Sequence, residues 1–485
     1  MSSMILSMAA LAGLSAGELP PSQIFETREA LEKGETCVAI VEQSLARIAE
    51  QGGSDGINAV TLVPREQALA EAAAIDQRLG DGEEMRPLEC VTLGVKDNID
   101  VAGQPTTAGS IALAGNIAPA DAPVVARLRS DGAIVVARTN MAEWAFSPRH
   151  TISSIAGETV NPYDPALVPA GSSGGSAAGE AAGLFAISLG TDTGNSIRGP
   201  SAHNALVGLR SSIGLVPIDG IVPLLAQVDV VGPMVTSVRD AAIMLDTLTA
   251  SPGTYTDDLG SSDLAGITVA VVPSSLTGTP THPEIAKLFE RAQQDLKSAG
   301  ANIVELDVAA IRSVLEDLSP CFSFRADVRK YFQSRGGIFA NYDPLFAYQS
   351  GLYSKEFEAP FKFFLDSESI AECPAYQQDK ARQTARSAIE AMMTRLGADF
   401  IAYPTWSSPP ASRKRWNEDY AGDNSQVLVP PTGLPAITVP MGFLGSGAPG
   451  GIQFVGRFEQ EKALLDVAFA YEQLTLHRES PELTP

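Results

Sequence analysis

Three short stretches of the chain carry residue types suited to acyl-transfer chemistry. LGVKDNID (residues 93–100) puts Lys96 at the end of the apolar alternation Val91, Leu93, Val95. PAGSSGGSAAG (169–179) sets Ser172 and Ser173 before a glycine pair. GTDTGNSIRGP (190–200) follows the apolar run AAGLFAISL with six small or polar residues, Ser196 last among them, and then an Arg-Gly-Pro stop. A connecting turn needs fewer such residues, so this backbone is shaped to hold something.

A serine hydroxyl is a poor nucleophile until a base takes its proton. The four histidines (His150, His203, His282, His477) lie in no catalytic setting, which weakens a Ser-His-Asp reading. A lysine serves as the base only if its neutral form is populated, which requires its pKa to fall from about 10.4 to roughly 7. Burial among apolar groups supplies a shift of that size, and the end of an apolar strand is a place for it. A second serine can relay the proton between Lys96 and Ser196. Consecutive N–H groups in a glycine-containing turn can hold an oxyanion.

These parts need a scaffold. DAPVVARLRSD (121–131) reads as a helix closed by Gly132, and AIVVAR (133–138) as a buried strand. GGSAAGEAAGL (174–184) suits a small-residue helix, with FAISLG (185–190) as the strand behind it. ITVAVV (267–272), a helix over 283–298 and NIVELDV (302–308) form a strand–helix–strand unit. FIAYP (400–404), AITVP (436–440) and IQFVG (452–456) read as further strands before a closing helix over 459–475. Strands alternating with helices predict an α/β layered fold with a sheet buried on both faces. Residues 310–400 are more aromatic and less regular, and read as helices covering the sheet.

With 34 Lys and Arg against 57 Asp and Glu, the formal net charge is −23. An acidic surface repels phosphate backbones and argues against nucleic-acid partners. No run approaches the roughly 18 apolar residues of a membrane span. Cys37, Cys90, Cys321 and Cys373 are far apart with no CxxC spacing, so they read as reduced thiols. Residues 1–17 carry no charged side chain, but they lack the Lys/Arg n-region of a secretory signal. Residues 1–24 are therefore expected to be a helical extension, and the chain to be cytoplasmic. Asp97 and Asp100 have no His or Cys partner at ligand spacing, and no metal site is expected.

The chain resembles the amidase signature family. GSSGGSAAG (171–179) and GTDTGNSIRGPSA (190–202) match its Gly/Ser-rich signature, with Ser172 and Ser196 at the family spacing of 24 residues. GVKDNID matches its lysine motif, and TTAGS (106–110), RTNMAEWA (138–145), GLPAITVPMG (433–442) and GGIQFVGR (450–457) resemble its connecting segments. The likeness covers most of residues 25–240 and 395–475. It implies a three-layer α/β/α fold with a central mixed β-sheet, in one domain over 25–480. Within it, 250–395 is a divergent, mainly helical region shaping the substrate pocket.

The resemblance also implies roles. Ser196 is the acylated nucleophile, Ser172 the bridging serine held through a cis peptide bond, and Lys96 the general base. Backbone amides of Thr193, Gly194, Asn195 and Ser196 line the oxyanion hole, and Ser173, Asp192 and Arg198 support them. No cofactor or metal is implied. The substrate is a small-molecule amide, and a homodimer is compatible with the family.

Two departures stand out. Ala170 and Asn195 occupy positions where the family usually has glycine. Ala170 is expected to matter little. Asn195 is expected to matter more, because glycine there can take backbone angles costly for other residues. Its side chain would either narrow the leaving-group space or donate a hydrogen bond. Two alternative functions keep the same fold: the ammonia-supplying component of a glutamine-dependent amidotransferase, feeding a partner, and a non-catalytic binding protein. GSSGG also fits a nucleophile elbow around Ser173, which would need a downstream Asp and His.

Overall fold

The computed structural model describes residues 22–260, 263–367 and 373–483. The expected helix over residues 1–24 therefore falls largely outside the described residues; within them, Gln23–Glu32 is a helix capped by the Ser22 side chain.

Among the described residues, eleven strands form one mixed sheet. In chain order the strands are β1 (Val60–Leu62), β2 (Thr92–Lys96), β3 (Ile134–Thr139), β4 (Ile152–Ser153), β5 (Gly157–Glu158), β6 (Ile187–Asp192), β7 (Val207–Arg210), β8 (Val230–Val235), β9 (Thr268–Val271), β10 (Asn302–Glu305), β11 (Phe400–Pro404), β12 (Ala436–Phe443) and β13 (Pro449–Val455). The large sheet runs β1-β3-β2-β6-β8-β7-β12-β13-β11-β9-β10, while β4 and β5 make a small separate ribbon. The β3-β2-β6 group is parallel, as is β11-β9-β10, and antiparallel β8, β7, β12 and β13 lie between them.

Strand alternation sends side chains to two helical layers. Val135, Val269, Val271, Phe400 and Ala402 pack against helices Pro123–Ser130, Val238–Thr249, Pro283–Ser298 and Glu461–Thr475. Ile134, Val136, Ala270, Ile401 and Tyr403 face the other way, towards Cys37–Arg47, Arg65–Gly80 and Lys380–Leu396. Helices Phe324–Arg335, Pro344–Gln349 and Glu358–Asp366 build their own aromatic core on Trp144 and Phe146, with Phe324, Phe332 and Phe361 fully buried. Of the aromatic residues of this region, Phe363 is half exposed, while Tyr331 is buried and donates its hydroxyl to Asp100 at 2.7 Å.

The cysteines correct the sequence reading. Cys37 is bonded to Cys90, and Cys321 to Cys373, with Cα–Cα distances of 5.6 and 5.8 Å. No free cysteine remains. Sequence separations of 53 and 52 residues hid both pairs. Folding brings the N-terminus of helix Cys37–Arg47 against the approach to β2, where both sulfur-bearing side chains are buried. No helix among the described residues is long and apolar enough to cross a membrane.

Candidate active site

Parallel pairing of β2 with β6 sets Lys96 and Asp192 at neighbouring carboxyl ends of the sheet, the edge where open α/β sheets place their ligands. Leu93 and Val95 point into the main core, and Lys96 is fully buried. Its Nζ lies 2.7 Å from Ser172 Oγ, 2.8 Å from Thr191 Oγ1 and 3.4 Å from Thr191 O. Loss of hydration pulls the Lys96 pKa from 10.5 down to about 7, against the opposing pull of the Asp192 and Asp229 carboxylates. The neutral amine is thus well populated near neutrality.

Ser172 reaches this lysine because the 169–175 loop threads between other backbones. The Gly171–Ser172 peptide bond is cis. A Cβ on Gly171 would come within 2.5 Å of the Ser147 and His150 carbonyl oxygens, and one on Gly175 within 2.3 Å of Asn140 O. Only glycine fits such approaches. Ser173 Oγ donates to Thr191 O at 3.1 Å, which ties the loop to β6. No histidine is bonded to Ser173 among the described residues, so the elbow reading lacks its base.

The loop after β6 is pinned by charge. Asp192 accepts from Arg198 Nε (3.1 Å), Arg210 Nη1 (2.8 Å) and the Ile197 amide (3.2 Å). All three charged side chains are fully buried. Burial alone would raise the Asp192 pKa, but the two guanidiniums outweigh it and hold it at about 2. Arg198 also donates to Gly194 O, Ser425 O and Gln453 Oε1 at 2.7, 2.7 and 2.9 Å. Thr193 Oγ1 donates to Asp229 at 2.5 Å; burial lifts the Asp229 pKa to about 6.

Ser196 is 5% exposed and precedes helix Arg198–His203. Its hydroxyl has one partner among the described residues, Asn195 Oδ1 at 3.5 Å, and makes no direct bond to Ser172. Catalytic hydrogen bonds are often long without substrate and shorten in the reacting complex. The backbone N–H groups of Thr193, Gly194, Asn195 and Ser196 donate to no protein acceptor among the described residues.

The two glycine replacements behave in the reverse of the expected order. Ala170 has φ of 63°, in the left-handed region that favours glycine, whereas Asn195 has no positive φ. Ala170 is therefore the strained replacement, and Asn195 changes the site through its side chain.

His203 is a packed core histidine: it stacks on Trp406 at 4.4 Å, and burial lowers its pKa to about 3. Glu143 is likewise buried, with Ser154 Oγ and the Ser354 amide donating to it. Sequence reasoning missed Thr191, Arg210, Asp229 and Asp423. Arg210, Asp229 and Asp423 are single polar residues that no short motif marks, while Thr191 stands inside GTDTGNSIRGP but had no role assigned to it. Among the described residues no group of three or more His, Cys, Asp or Glu side chains could hold a metal ion.

Comparison with known proteins identifies the family and the fold. The family model described as Amidase matches residues 39–465. The A-type subunit of the Thermosynechococcus vestitus glutamyl-tRNA(Gln) amidotransferase is 31% identical, over 94% of this chain and 98% of that one. The native peptide amidase of Stenotrophomonas maltophilia superposes with a TM-score of 0.82 at 32% identity, covering 96% of this chain and 99% of that one. An amidase family protein from Bacillus anthracis gives a TM-score of 0.79 at 26% identity, covering 98% and 97% of the two chains. The chain belongs to the amidase signature family and has its α/β fold, and it is an enzyme of amide C–N bonds.

Proposed function

We propose that the chain hydrolyses a small-molecule carboxamide through an acyl-enzyme on Ser196. One observation carries the reading: Lys96 Nζ, with its pKa lowered to about 7, lies 2.7 Å from Ser172 Oγ. Neutral Lys96 takes the Ser172 proton as Ser172 takes that of Ser196, whose Oγ attacks the carbonyl carbon. The free N–H groups of residues 193–196 receive the oxyanion. The proton returns through Ser172 to the departing nitrogen, and water releases the acid by the same route. Ser173, Asp192 and Arg198 hold the loops in place.

Residues 250–395, in a domain spanning 25–480, would shape the acyl and amine pockets. The −23 charge supports a small-molecule substrate over nucleic acid. A panel of aliphatic, aryl, peptide and acyl-anilide amides identifies the class, peptide amides included because of the likeness to a peptide amidase. Labelling by an activated acyl probe, located by mass spectrometry, is expected at Ser196. Label on another residue, or full activity in Ser196→Ala, overturns the assignment.

The likeness to the amidotransferase component supports a second reading, in which the released ammonia passes to a partner. Glutaminase activity together with a stoichiometric partner in a pull-down would favour it. As for compartment, disulfides persist in oxidising surroundings and are rare in the cytosol. The two pairs therefore support an oxidising compartment over the cytoplasmic expectation.

A further inference from the structure

Asn195 is 1% exposed and directly precedes the nucleophile. Its Nδ2 donates to Asp423 Oδ2 at 2.9 Å and reaches Pro148 O at 3.4 Å. A carboxylate and a backbone carbonyl only accept, so the amide cannot be turned the other way round. Asp423 is itself fixed by Ser425 Oγ (2.5 Å), Gln426 Nε2 (2.7 Å) and the Tyr420 hydroxyl (3.1 Å). Gly199 gives the side chain room: a Cβ there would stand 2.6 Å from Asn195 Nδ2. The donor end is thus spent on the protein. The acceptor end, Oδ1, is held 3.5 Å from Ser196 Oγ.

We propose that Asn195 is a specificity-determining residue that reads the leaving group through Oδ1. The proposal rests on Ser196 being the nucleophile. Attack forms the Ser196 Oγ–carbon bond and moves the carbonyl π pair onto oxygen. The nitrogen of a primary amide then carries two hydrogens and a lone pair. The lone pair takes the proton delivered by Ser172, the C–N bond breaks as the oxyanion pair returns, and ammonia departs. One of the two original N–H groups donates to Asn195 Oδ1 throughout. The alkoxy oxygen of an ester has no hydrogen to offer, so its reaction gains nothing from this acceptor. The choice left open by sequence, a narrowed space or a donated bond, resolves into an acceptor.

The test uses the acyl group of the amide turned over fastest in the panel, presented as its primary amide and as its methyl ester. Asn195→Ala is expected to lower the amide-to-ester ratio of kcat/KM by about fivefold, the value of one neutral hydrogen bond. An unchanged ratio, with both substrates scaled equally, overturns the proposal, because a merely structural role moves both alike. Asn195→Gly is measured in the same way, so a folding failure of one variant leaves the other to decide. Ser196→Ala is run in parallel: loss of both activities keeps the nucleophile assignment whatever Asn195 does, and retention of both overturns that assignment itself.

Discussion

Lys96 Nζ and Ser172 Oγ meet at 2.7 Å across 76 residues of sequence, and neither side chain touches solvent. An amine in such a place must be read through its protonation. Activity should rise with pH along a limb centred near 7, where Lys96 loses its proton. A pH profile of kcat/KM in the free enzyme checks this. A limb near 10 would mean that the amine is not the group being deprotonated.

Lys96 also has a stability consequence. Its pKa is depressed by folding, so between about 7 and 10.5 the unfolded chain binds more protons than the folded one. This group's contribution to stability therefore grows as pH rises through that window and is lost as pH falls through about 7. Lys96→Met should abolish turnover yet leave stability at pH 7 unchanged or up to about 1 kcal/mol higher, as expected where a site is held at a cost to the fold. Denaturant melts at pH 7 and pH 9 would show the variant's advantage shrinking at the higher pH.

Asp192 is the opposite case. Its folded pKa lies below the unfolded one, so its contribution is complete above about 4 and is lost as pH falls through about 2. Asp192→Asn leaves two buried guanidiniums short of their counter-charge, and a loss of about 3 kcal/mol is expected. Chemical denaturation at pH 7 measures it, and a loss below about 1 kcal/mol would show that the remaining acceptors suffice.

Ala170→Gly should stabilise the protein by about 0.5–1 kcal/mol. Relief of the left-handed strain exceeds the entropy glycine adds to the unfolded chain. A thermal melt gives the sign directly; a lower midpoint would mean that the Ala170 methyl, packed beside Ala202 and Trp406, matters more than its φ.

The two disulfides close loops of similar length. Each should contribute about 4 kcal/mol on loop-closure grounds. Thiol titration of native, unreduced protein should find no free cysteine, and Cys37→Ala/Cys90→Ala should lower the denaturation midpoint. One or more reactive thiols per native chain would contradict the pairing.

How much of this could be read in advance depended on how local each signal was. Strands β3, β6, β9 and β11 were visible as short β-branched or apolar runs, and helix Pro283–Ser298 matched its expected bounds. Strands β7 and β8 were missed, because VGLR and VVGPMV carry no clean alternation and end in charged or turn-like contexts. Lys96, Ser172 and Ser196 were legible because their neighbours form specific short patterns. Arg210, Asp229 and Asp423 were not, because what they do depends on pairings 18, 36 and 228 residues away. Ala170 and Asn195 were ranked in the wrong order because a backbone angle follows from the path of the loop, which the residue type alone does not reveal.

Arg198 is held from three directions, by Asp192 on β6, Ser425 after β11 and Gln453 on β13. Every one of these anchors lies outside residues 250–395. The aromatic helices over 324–366 can therefore change without touching any of these anchors, whereas β9 and β10, in the same excursion, belong to the sheet itself. The grip on the 193–196 loop is a property of the sheet: it travels with β6 and β13, whatever the aromatic helices beside them become.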